Sequence, residues 1–393
     1  MSLIERLDGI IGEEIASGDL AGSAICIVKD DREVLRRAYG VLDIDTGAPM
    51  PDEPIFRMYS MSKPITSAAA MILLERGVIS LDDPVSKYLE GFRNQQVWQD
   101  GQLVPAERDV TVNDLLNMTS GLTYPDMATE PGRRMNELFE QAIARAKAGN
   151  GYSTVELCNL IGQQPLVFQP GTRWQYGTSA DVLGAVVEVA SGMAFGDFLR
   201  KELFEPLGMA DTDFYVPAEK RDRFATMYQW HADEPRLRPY LGSHLVILDF
   251  TQPPAFQSGG AGLASTLSDY SRFARMLLNG GELDGKRILK PETVAFMHSD
   301  RLTAQQKPFY NWDALRGFTY GNLMRLLDDA QNIDPQLCGV GHVGEYGWDG
   351  WAGTYFMADP ENRMIVLYYI SRIDRDSHPM RAQIKRAIYD ELV

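Results

Sequence analysis

The chain has 393 residues, of which 45% are hydrophobic and 10% aromatic, so it can form one large domain or two closely packed ones with a sizeable core. No run of residues approaches the roughly eighteen uncharged apolar residues that a membrane-spanning helix needs. The net charge of −16, without any block of lysine and arginine, argues against nucleic acid and anionic membranes as partners.

The amino-terminal segment predicts a helix that belongs to the fold. Charged residues are interleaved there with an apolar stripe from Leu3 to Ile15, which is the spacing of an amphipathic helix and not of a secretory leader. Residues 24–28 and 34–39 then predict two strands, because a polar turn at residues 29–33 separates two short runs of strand-forming residues. We expect these strands to form an antiparallel hairpin.

The cysteines and the lack of an export signal indicate the compartment. Cys26, Cys158 and Cys338 are far apart in the sequence, odd in number and without metal-ligand spacing, so we expect buried free thiols. No export signal is present in the sequence, and we therefore expect a cytoplasmic protein.

Ser60 and Lys63 form the pattern S-x-x-K directly before an apolar run at residues 65–74. Side chains three residues apart are neighbours on a helix, so the pattern places a hydroxyl beside an amine. A serine hydroxyl needs a partner that removes its proton, and lysine can do so only where its surroundings lower its pKa. A helix start after Tyr59 adds free backbone N–H groups that could stabilise an oxyanion. The tetrapeptide alone is more typical of an ordinary surface helix, so further elements are required.

The middle of the chain differs from its two ends. From about residue 81 to residue 212 the periodicity is helical or irregular, whereas residues 354–358 and 363–370 predict a second pair of strands. A final helix is predicted to begin near Ser377.

This arrangement predicts an α+β fold in which an antiparallel sheet is flanked by helices and carries an inserted, mostly helical domain. We place the discontinuous sheet domain at residues 1–80 and 240–393 and the helical domain at residues 81–239. The active site is expected at the interface between the two domains.

Two further segments carry candidate site residues. A Pro-Gly turn is followed by Tyr176 just before an apolar helix, a position where a tyrosine is more often a packing residue than a catalytic one. Near the C-terminus, glycines recur at every third position from Gly344 to Gly353, next to a predicted strand. This spacing indicates backbone that closely approaches either a substrate or another strand.

These segments resemble the three ordered motifs of serine β-lactamase-fold proteins, and the resemblance spans nearly the whole chain. The motifs are Tyr59-Ser60-Met61-Ser62-Lys63-Pro64, Pro170-Gly171-Thr172 ahead of Tyr176, and Gly347-Trp348-Asp349-Gly350 ahead of Gly353-Thr354-Tyr355. Within that superfamily the chain is similar to family VIII carboxylesterases and related acyltransferases, which are relatives of class C β-lactamases. Three motifs in order are far more specific than any one alone.

The resemblance implies a role for each motif residue. Ser60 would be the acylated nucleophile, Lys63 its hydrogen-bonded activator, and Tyr176 the group that shuttles the proton between hydroxyl, leaving group and water. If both are hydrogen-bonded to Ser60, Lys63 and Tyr176 can hold one proton between them. The backbone N–H groups of Ser60 and Trp351 would form the oxyanion hole.

The third motif departs from the β-lactamase pattern. β-Lactamases and penicillin-binding proteins have Lys-Thr-Gly or His-Thr-Gly there, whose cation helps to hold a substrate carboxylate, whereas this chain has Trp348-Asp349-Gly350. On charge alone, an aromatic side chain beside an acid favours a neutral acyl ester. Thr178 also stands where class C β-lactamases have asparagine, so we expect at most slow hydrolysis of lactams.

Substrate contacts are expected from Trp348, Asp349 and Gly350. Three aromatic residues, Tyr124, Trp230 and Trp312, either line the pocket or pack in the core, and we select Tyr124 as the contact residue. A small-molecule ester is the expected partner, and the sequence leaves the oligomeric state open.

Other chemistries find little support in the sequence. Residues 339–344 match G-x-G-x-x-G but lack the flanking strand and helix of a dinucleotide site, so a loop is expected there. The five histidines show no paired ligand spacing, and we expect no metal and no cofactor. No G-x-S-x-G elbow is present to indicate an α/β-hydrolase.

Three functions remain open at this point. The preferred hypothesis is a serine esterase that hydrolyses short-chain acyl esters through an acyl-Ser60 intermediate. The second is an acyltransferase or a weak β-lactamase of the same fold. The third is a catalytically silent relative that binds a peptide or an ester without turnover.

Overall fold

An eight-stranded antiparallel sheet organises the structure, a computed structural model that describes residues 1–393. The strands are β1 (Gly22–Lys29), β2 (Arg32–Asp43), β3 (Ala48–Pro49), β4 (Phe56–Arg57), β5 (Gln96–Gln99), β6 (Gln102–Pro105), β7 (Tyr228–His231), β8 (Arg236–Pro239), β9 (Ala264–Ser265), β10 (Glu282–Leu283), β11 (Lys286–Arg287), β12 (Phe318–Gly321), β13 (Met324–Leu327), β14 (Tyr346–Asp349), β15 (Tyr355–Asp359), β16 (Met364–Ile370) and β17 (Arg372–Ile373). In space the large sheet runs β12-β13-β14-β15-β16-β1-β2-β3, so strands from both ends of the chain meet where β16 pairs with β1.

Helices cover both faces of this sheet. They are α1 (Leu3–Ala16), α2 (Ser62–Glu75), α3 (Val112–Asn117), α4 (Glu130–Lys147), α5 (Thr154–Gly162), α6 (Ser179–Ser191), α7 (Phe195–Leu199), α8 (Glu205–Leu207), α9 (Leu267–Leu278), α10 (Pro291–Met297) and α11 (His378–Leu392). No single helix is long and apolar enough to cross a membrane, and one bent pair, 179–191 with 195–207, meets the length and composition criteria jointly.

Strand β1 shows why the sheet is buried on both sides. Successive side chains of a strand point to opposite faces, and from Ala24 to Val28 both sets are apolar and buried. Ile25 and Ile27 pack in a 17-residue core with α1 and α11, whereas Ala24, Cys26 and Val28 belong to the 75-residue main core on the opposite face. The sheet is therefore the middle layer between the terminal helices and the helices of the interior.

The predicted fold class is confirmed: the structure is α+β, with an antiparallel sheet flanked by helices. The first helix, the β1–β2 hairpin, the β15–β16 pair and the final helix lie where the sequence predicted them. The short hairpins β5–β6 and β7–β8 were not predicted within the helical region. Strand β7 also pairs in parallel with β17, which ties residues 228–231 to the end of the chain. The division at residues 80 and 240 stays a prediction.

The cysteine prediction is wrong in one respect. All three cysteines are free, and Cys26 and Cys158 are buried, but Cys338 is partly exposed. Cys338 lies in the loop between β13 and β14, where the G-x-G-x-x-G match also falls, and its thiol donates to the Ala314 carbonyl at 3.0 Å.

We expect Leu7→Ala to lower the free energy of unfolding by about 2–5 kcal/mol, because it opens a cavity in the core beneath α1 and α11. Leu7 is fully buried there. Ile4→Ala is the matched control on the same helix, since Ile4 is 43% exposed. Urea denaturation measures both changes, and equal destabilisation by the two variants would contradict this account of the packing.

Candidate active site

Ser60 lies in a single 3-10 turn, Tyr59–Met61, that leads directly into α2. Tyr59 adopts a left-handed backbone conformation with φ 44°, which non-glycine residues rarely do. This turn exposes part of Ser60, while Lys63 enters the first turn of the helix and is completely buried. Lys63 Nζ donates a hydrogen bond of 3.0 Å to Ser60 Oγ, so the hydroxyl and the amine are in direct contact.

Lys63 is surrounded by neutral acceptors. Besides Ser60, its Nζ donates to Tyr124 Oη at 3.1 Å and to the carbonyl oxygen of Gly260 at 2.8 Å. Burial disfavours the ammonium form and lowers the pKa of Lys63 to about 7, although the negative charge of Asp181 acts in the opposite direction. The amine can therefore accept a proton from Ser60 near neutral pH.

Asp181 holds the loop that supplies the Gly260 carbonyl. This buried carboxylate, in the first turn of α6, accepts hydrogen bonds from Ser258 Oγ at 2.5 Å and from the backbone N–H of Gly260 at 3.0 Å. Burial raises the pKa of Asp181, and these two donors together with Lys63 oppose the shift. Lys63 and Asp181 thus lie on two sides of one peptide segment and do not form a direct ion pair.

Tyr176 lies directly before α6 with its ring beside the amine. Lys63 Nζ is 4.6 Å from the centroid of the Tyr176 ring. The Trp348 indole N–H donates a hydrogen bond of 3.0 Å to Tyr176 Oη, which links the second and third motifs. Burial raises the pKa of Tyr176, and interactions with the Ser60 hydroxyl and the Trp348 indole partly offset that effect. Tyr176 is therefore a neutral phenol that can pass a proton on.

Asp349 is neutralised by two arginines. Its carboxylate accepts hydrogen bonds from Arg381 at 2.9 Å and from Arg325 at 3.2 Å. Burial alone would raise the pKa of Asp349, but the two guanidinium charges outweigh burial and hold that pKa below its usual value. The sequence-based charge argument needs correction here, because this acid contributes no free negative charge to the site.

Gly350 lies where the third motif contacts the segment that precedes Ser60. A Cβ at this position would lie 2.4 Å from the carbonyl oxygen of Met58 and 2.2 Å from Thr354 Oγ1. At Gly347 a Cβ would likewise meet the backbone of β15, with the Phe356 carbonyl oxygen at 2.1 Å. At Gly347 and Gly350 the close approach is thus to backbone of this chain, and at Gly350 it brings the third motif against the segment that precedes Ser60, whereas Gly344 has no neighbour within 4 Å.

A cavity of about 830 Å³ opens in front of Ser60. Its lining residues are Ser60, Tyr124, Pro125, Tyr176, His244, Leu245, Asn311, Trp312, Asp313, Ala314, Leu315, Trp348, Asp349, Gly350, Trp351 and His378. No lysine or arginine lines it. The backbone N–H groups of Ser60 and Trp351 donate no hydrogen bond within the chain, so both are free to bind an oxyanion.

The structure brings together every site residue predicted from the sequence. Trp312 also lines the cavity, whereas Trp230 and the buried Thr178 do not. The sequence analysis missed the roles of Asp181, Gly260 and His244. An acid in the first turn of the helix after Tyr176 was the available signal for Asp181, and no local pattern distinguishes His244. No group of three or more His, Cys, Asp or Glu side chains is placed to hold a metal ion.

The family model described as Beta-lactamase matches residues 7–389. The chain belongs to the beta-lactamase family. It is 36% identical to Protein Rv1367c of Mycobacterium tuberculosis over 375 residues, covering 93% of this chain and 90% of that relative. It is 31% identical to Esterase EstB of Burkholderia gladioli, with 99% and 95% covered.

A solved structure extends the comparison within the family. EstCE1, described as a hydrolase with promiscuous acyltransferase activity, superposes with a TM-score of 0.80 and 27% identity, and the match covers 98% of each chain. The resemblance to β-lactamase-fold esterases that the three motifs indicated is thereby confirmed.

We expect the rate at which Ser60 is acylated by an activated ester to rise with pH and to level off above a midpoint near 7. Lys63 accepts the serine proton only in its neutral form, and its pKa is lowered to about 7. The neighbouring His244 does not titrate in this range because burial and the charge of Lys63 lower its pKa to about 4. Pre-steady-state release of p-nitrophenol, followed at its isosbestic wavelength between pH 5 and 9, measures the profile.

Lys63→Arg is the control for this profile, because arginine keeps the positive charge but stays protonated. We expect a rate loss of about 10²–10⁴-fold, the usual contribution of a general base. A residual activity that keeps the same midpoint near pH 7 would assign the titration to another group.

Proposed function

We propose that the protein is a serine esterase that hydrolyses short-chain acyl esters through an acyl-Ser60 intermediate. The contact of 3.0 Å between Lys63 Nζ and Ser60 Oγ carries this proposal, because the buried amine has no carboxylate in contact with it. Such an amine activates a serine hydroxyl without a histidine.

The geometry supports a two-step mechanism. Ser60 Oγ attacks the ester carbonyl carbon while its proton passes to Lys63, and the backbone N–H groups of Ser60 and Trp351 stabilise the oxyanion. When the tetrahedral intermediate collapses, the bond to the alcohol oxygen breaks. Tyr176 donates a proton to that oxygen and is reprotonated from Lys63. A water molecule then attacks the acyl-enzyme by the same route in reverse, which releases the acid and restores the Ser60 hydroxyl.

The lining of the cavity supports a neutral ester as substrate. Tyr124, Trp312, Trp348 and Trp351 offer apolar ring surfaces, and no lysine or arginine is present to bind a carboxylate. Lactam antibiotics and D-alanyl peptides carry such a carboxylate, so they lack a partner here. The similarity to Esterase EstB supports an ester substrate, and the similarity to the hydrolase EstCE1 supports hydrolysis.

Acyl transfer to an alcohol is the second candidate, and the promiscuous acyltransferase activity described for EstCE1 favours it. Both reactions share the acyl-Ser60 intermediate and differ only in whether water or an alcohol attacks it.

We place the enzyme in the cytoplasm, and the three free cysteines support this location because they form no disulfide.

We expect purified protein to hydrolyse p-nitrophenyl butyrate with a burst of p-nitrophenol, and Ser60→Ala to lower kcat at least about a thousandfold because the nucleophile is lost. Ser17→Ala, at an exposed serine after α1, is the control for handling and folding. Intact mass and peptide mapping locate the acyl adduct. Full activity of Ser60→Ala, or an adduct on another residue, would overturn the proposal.

Adding methanol or butanol to the assay separates hydrolysis from acyl transfer. We expect free butyric acid to remain the main product, because water is in large excess over the added alcohol. Gas chromatography of the products measures the ratio. A predominance of butyl butyrate at low alcohol concentration would make acyl transfer the principal activity.

A further inference from the structure

An aromatic stack joins the two segments that carry the oxyanion donors. The imidazole of His244 lies parallel to the indole of Trp351, with ring centroids 3.8 Å apart and an interplanar angle of 6°. The ring of Tyr59 meets both edge-on, at 5.3 Å from Trp351 and 5.4 Å from His244. The imidazole of His244 therefore contacts both Trp351, which follows the third motif, and Tyr59, which precedes Ser60.

The position of these rings matters for the backbone beside them. The N–H of Ser60 belongs to the peptide that begins at Tyr59, and the other free N–H belongs to Trp351 itself. Neither donor is held by a hydrogen bond within the chain. Neighbouring peptides are hydrogen-bonded, and Thr354 Oγ1 donates to the Met58 carbonyl at 3.2 Å, which holds the two segments side by side. Side-chain packing at Tyr59 and Trp351 adds a second constraint, on the donors themselves, and displacements of about 1 Å at such sites cost up to a hundredfold in rate.

A strained turn holds His244 in this place. His244 and Ile247 exchange backbone hydrogen bonds of 3.1 and 2.9 Å, and the two residues between them, Leu245 and Val246, have φ values of 51° and 68°. Turns of this kind normally carry asparagine and glycine, and a β-branched residue in a left-handed conformation is strained. The buried side chain of Val246 packs into the main core and offsets the strain. The turn therefore presents His244 to Trp351 in one orientation.

The nitrogens of His244 take no part in this contact. They form no hydrogen bond with Ser60, Lys63 or Tyr176, nor with any other group of the chain. Burial and the charge of Lys63 keep the ring neutral above about pH 4. His244 therefore interacts with the site through the face of its ring and not through its nitrogens.

We propose that His244 is a positioning residue that fixes the separation of the Ser60 and Trp351 backbone N–H groups by stacking on Trp351 and contacting Tyr59. This inference rests on the proposed esterase function, since it concerns the oxyanion of that reaction. His244 acts through Trp351 and Tyr59 and does not itself transfer a proton.

The test compares His244→Ala with His244→Phe, which restores a flat ring without its nitrogens. We expect His244→Ala to lower kcat for p-nitrophenyl butyrate about 10- to 100-fold with little change in KM, and His244→Phe to stay within about threefold of wild type. His231→Ala, outside the cavity, controls for the loss of a histidine. Thermal denaturation checks that each variant is folded.

A second readout reports on the oxyanion hole alone. In a thiono ester, sulfur replaces the carbonyl oxygen and accepts hydrogen bonds weakly, so a well-formed oxyanion hole strongly prefers the oxygen ester. We expect this preference, measured as the ratio of kcat/KM for the matched esters, to fall about tenfold in His244→Ala and to be restored in His244→Phe.

Each outcome decides between the alternatives. An unchanged kcat and an unchanged oxygen preference in His244→Ala would overturn the positioning role while leaving the esterase intact. If His244→Phe is as slow as His244→Ala, the nitrogens are required, and stacking is not the cause. A wild-type protein that hydrolyses no ester would overturn the proposed function and this inference with it.

Discussion

The whole site depends on keeping the Lys63 amine buried without a carboxylate in contact. A buried amine needs hydrogen-bond acceptors, and a charged partner would hold it protonated. Neutral acceptors come from three separate places: Ser60 in the turn before α2, Tyr124 after α3, and the Gly260 carbonyl in the loop before β9. The carboxylate of Asp181 binds that loop from its other side and so stabilises the acceptor without pairing with the amine. Helix α2 carries Lys63 and helix α6 carries Asp181, and the packing of the two helices places these residues on opposite sides of the Gly260 peptide.

The sequence predicted the parts of this site that are local. Ser60 and Lys63 are neighbours on one helix turn, which follows from their spacing alone, and short runs of strand-forming residues bounded by turns predicted the β1–β2 and β15–β16 pairs. The bonds of Asp349 could not be predicted in this way, because Arg325 and Arg381 reach it from β13 and α11. The short hairpins escaped for a different reason: β5 and β6 have four residues each and are mostly exposed, so they carry too few apolar positions to show a period.

The paired state of Asp349 changes how the third motif influences chemistry. The sequence suggested that the negative charge of Asp349, beside Trp348, disfavours substrates that carry a carboxylate. In the structure Arg325 and Arg381 neutralise that charge. Selection then depends on which groups face the cavity. Those are mainly aromatic rings, together with Asn311 and Asp313 at an exposed edge, and they include no lysine or arginine. The Trp348 N–H is already engaged by Tyr176. A substrate gains contact area from the rings, whereas a carboxylate would lose hydration there without meeting a cation, which disfavours anionic substrates.

Three residues with left-handed backbone lie around the two free N–H donors. Tyr59, Leu245 and Val246 all have left-handed conformations, and each lies in or beside the stack on Trp351. Strained residues and unpaired donors both lower stability, so neither would persist unless the surrounding structure fixed them. The two large cores supply that stability, and the core beneath α1 and α11 includes none of the residues that line the cavity. The division is physically reasonable because catalysis requires donors that are free in the resting enzyme, so packing and the hydrogen bonds of neighbouring peptides must hold their backbone in place.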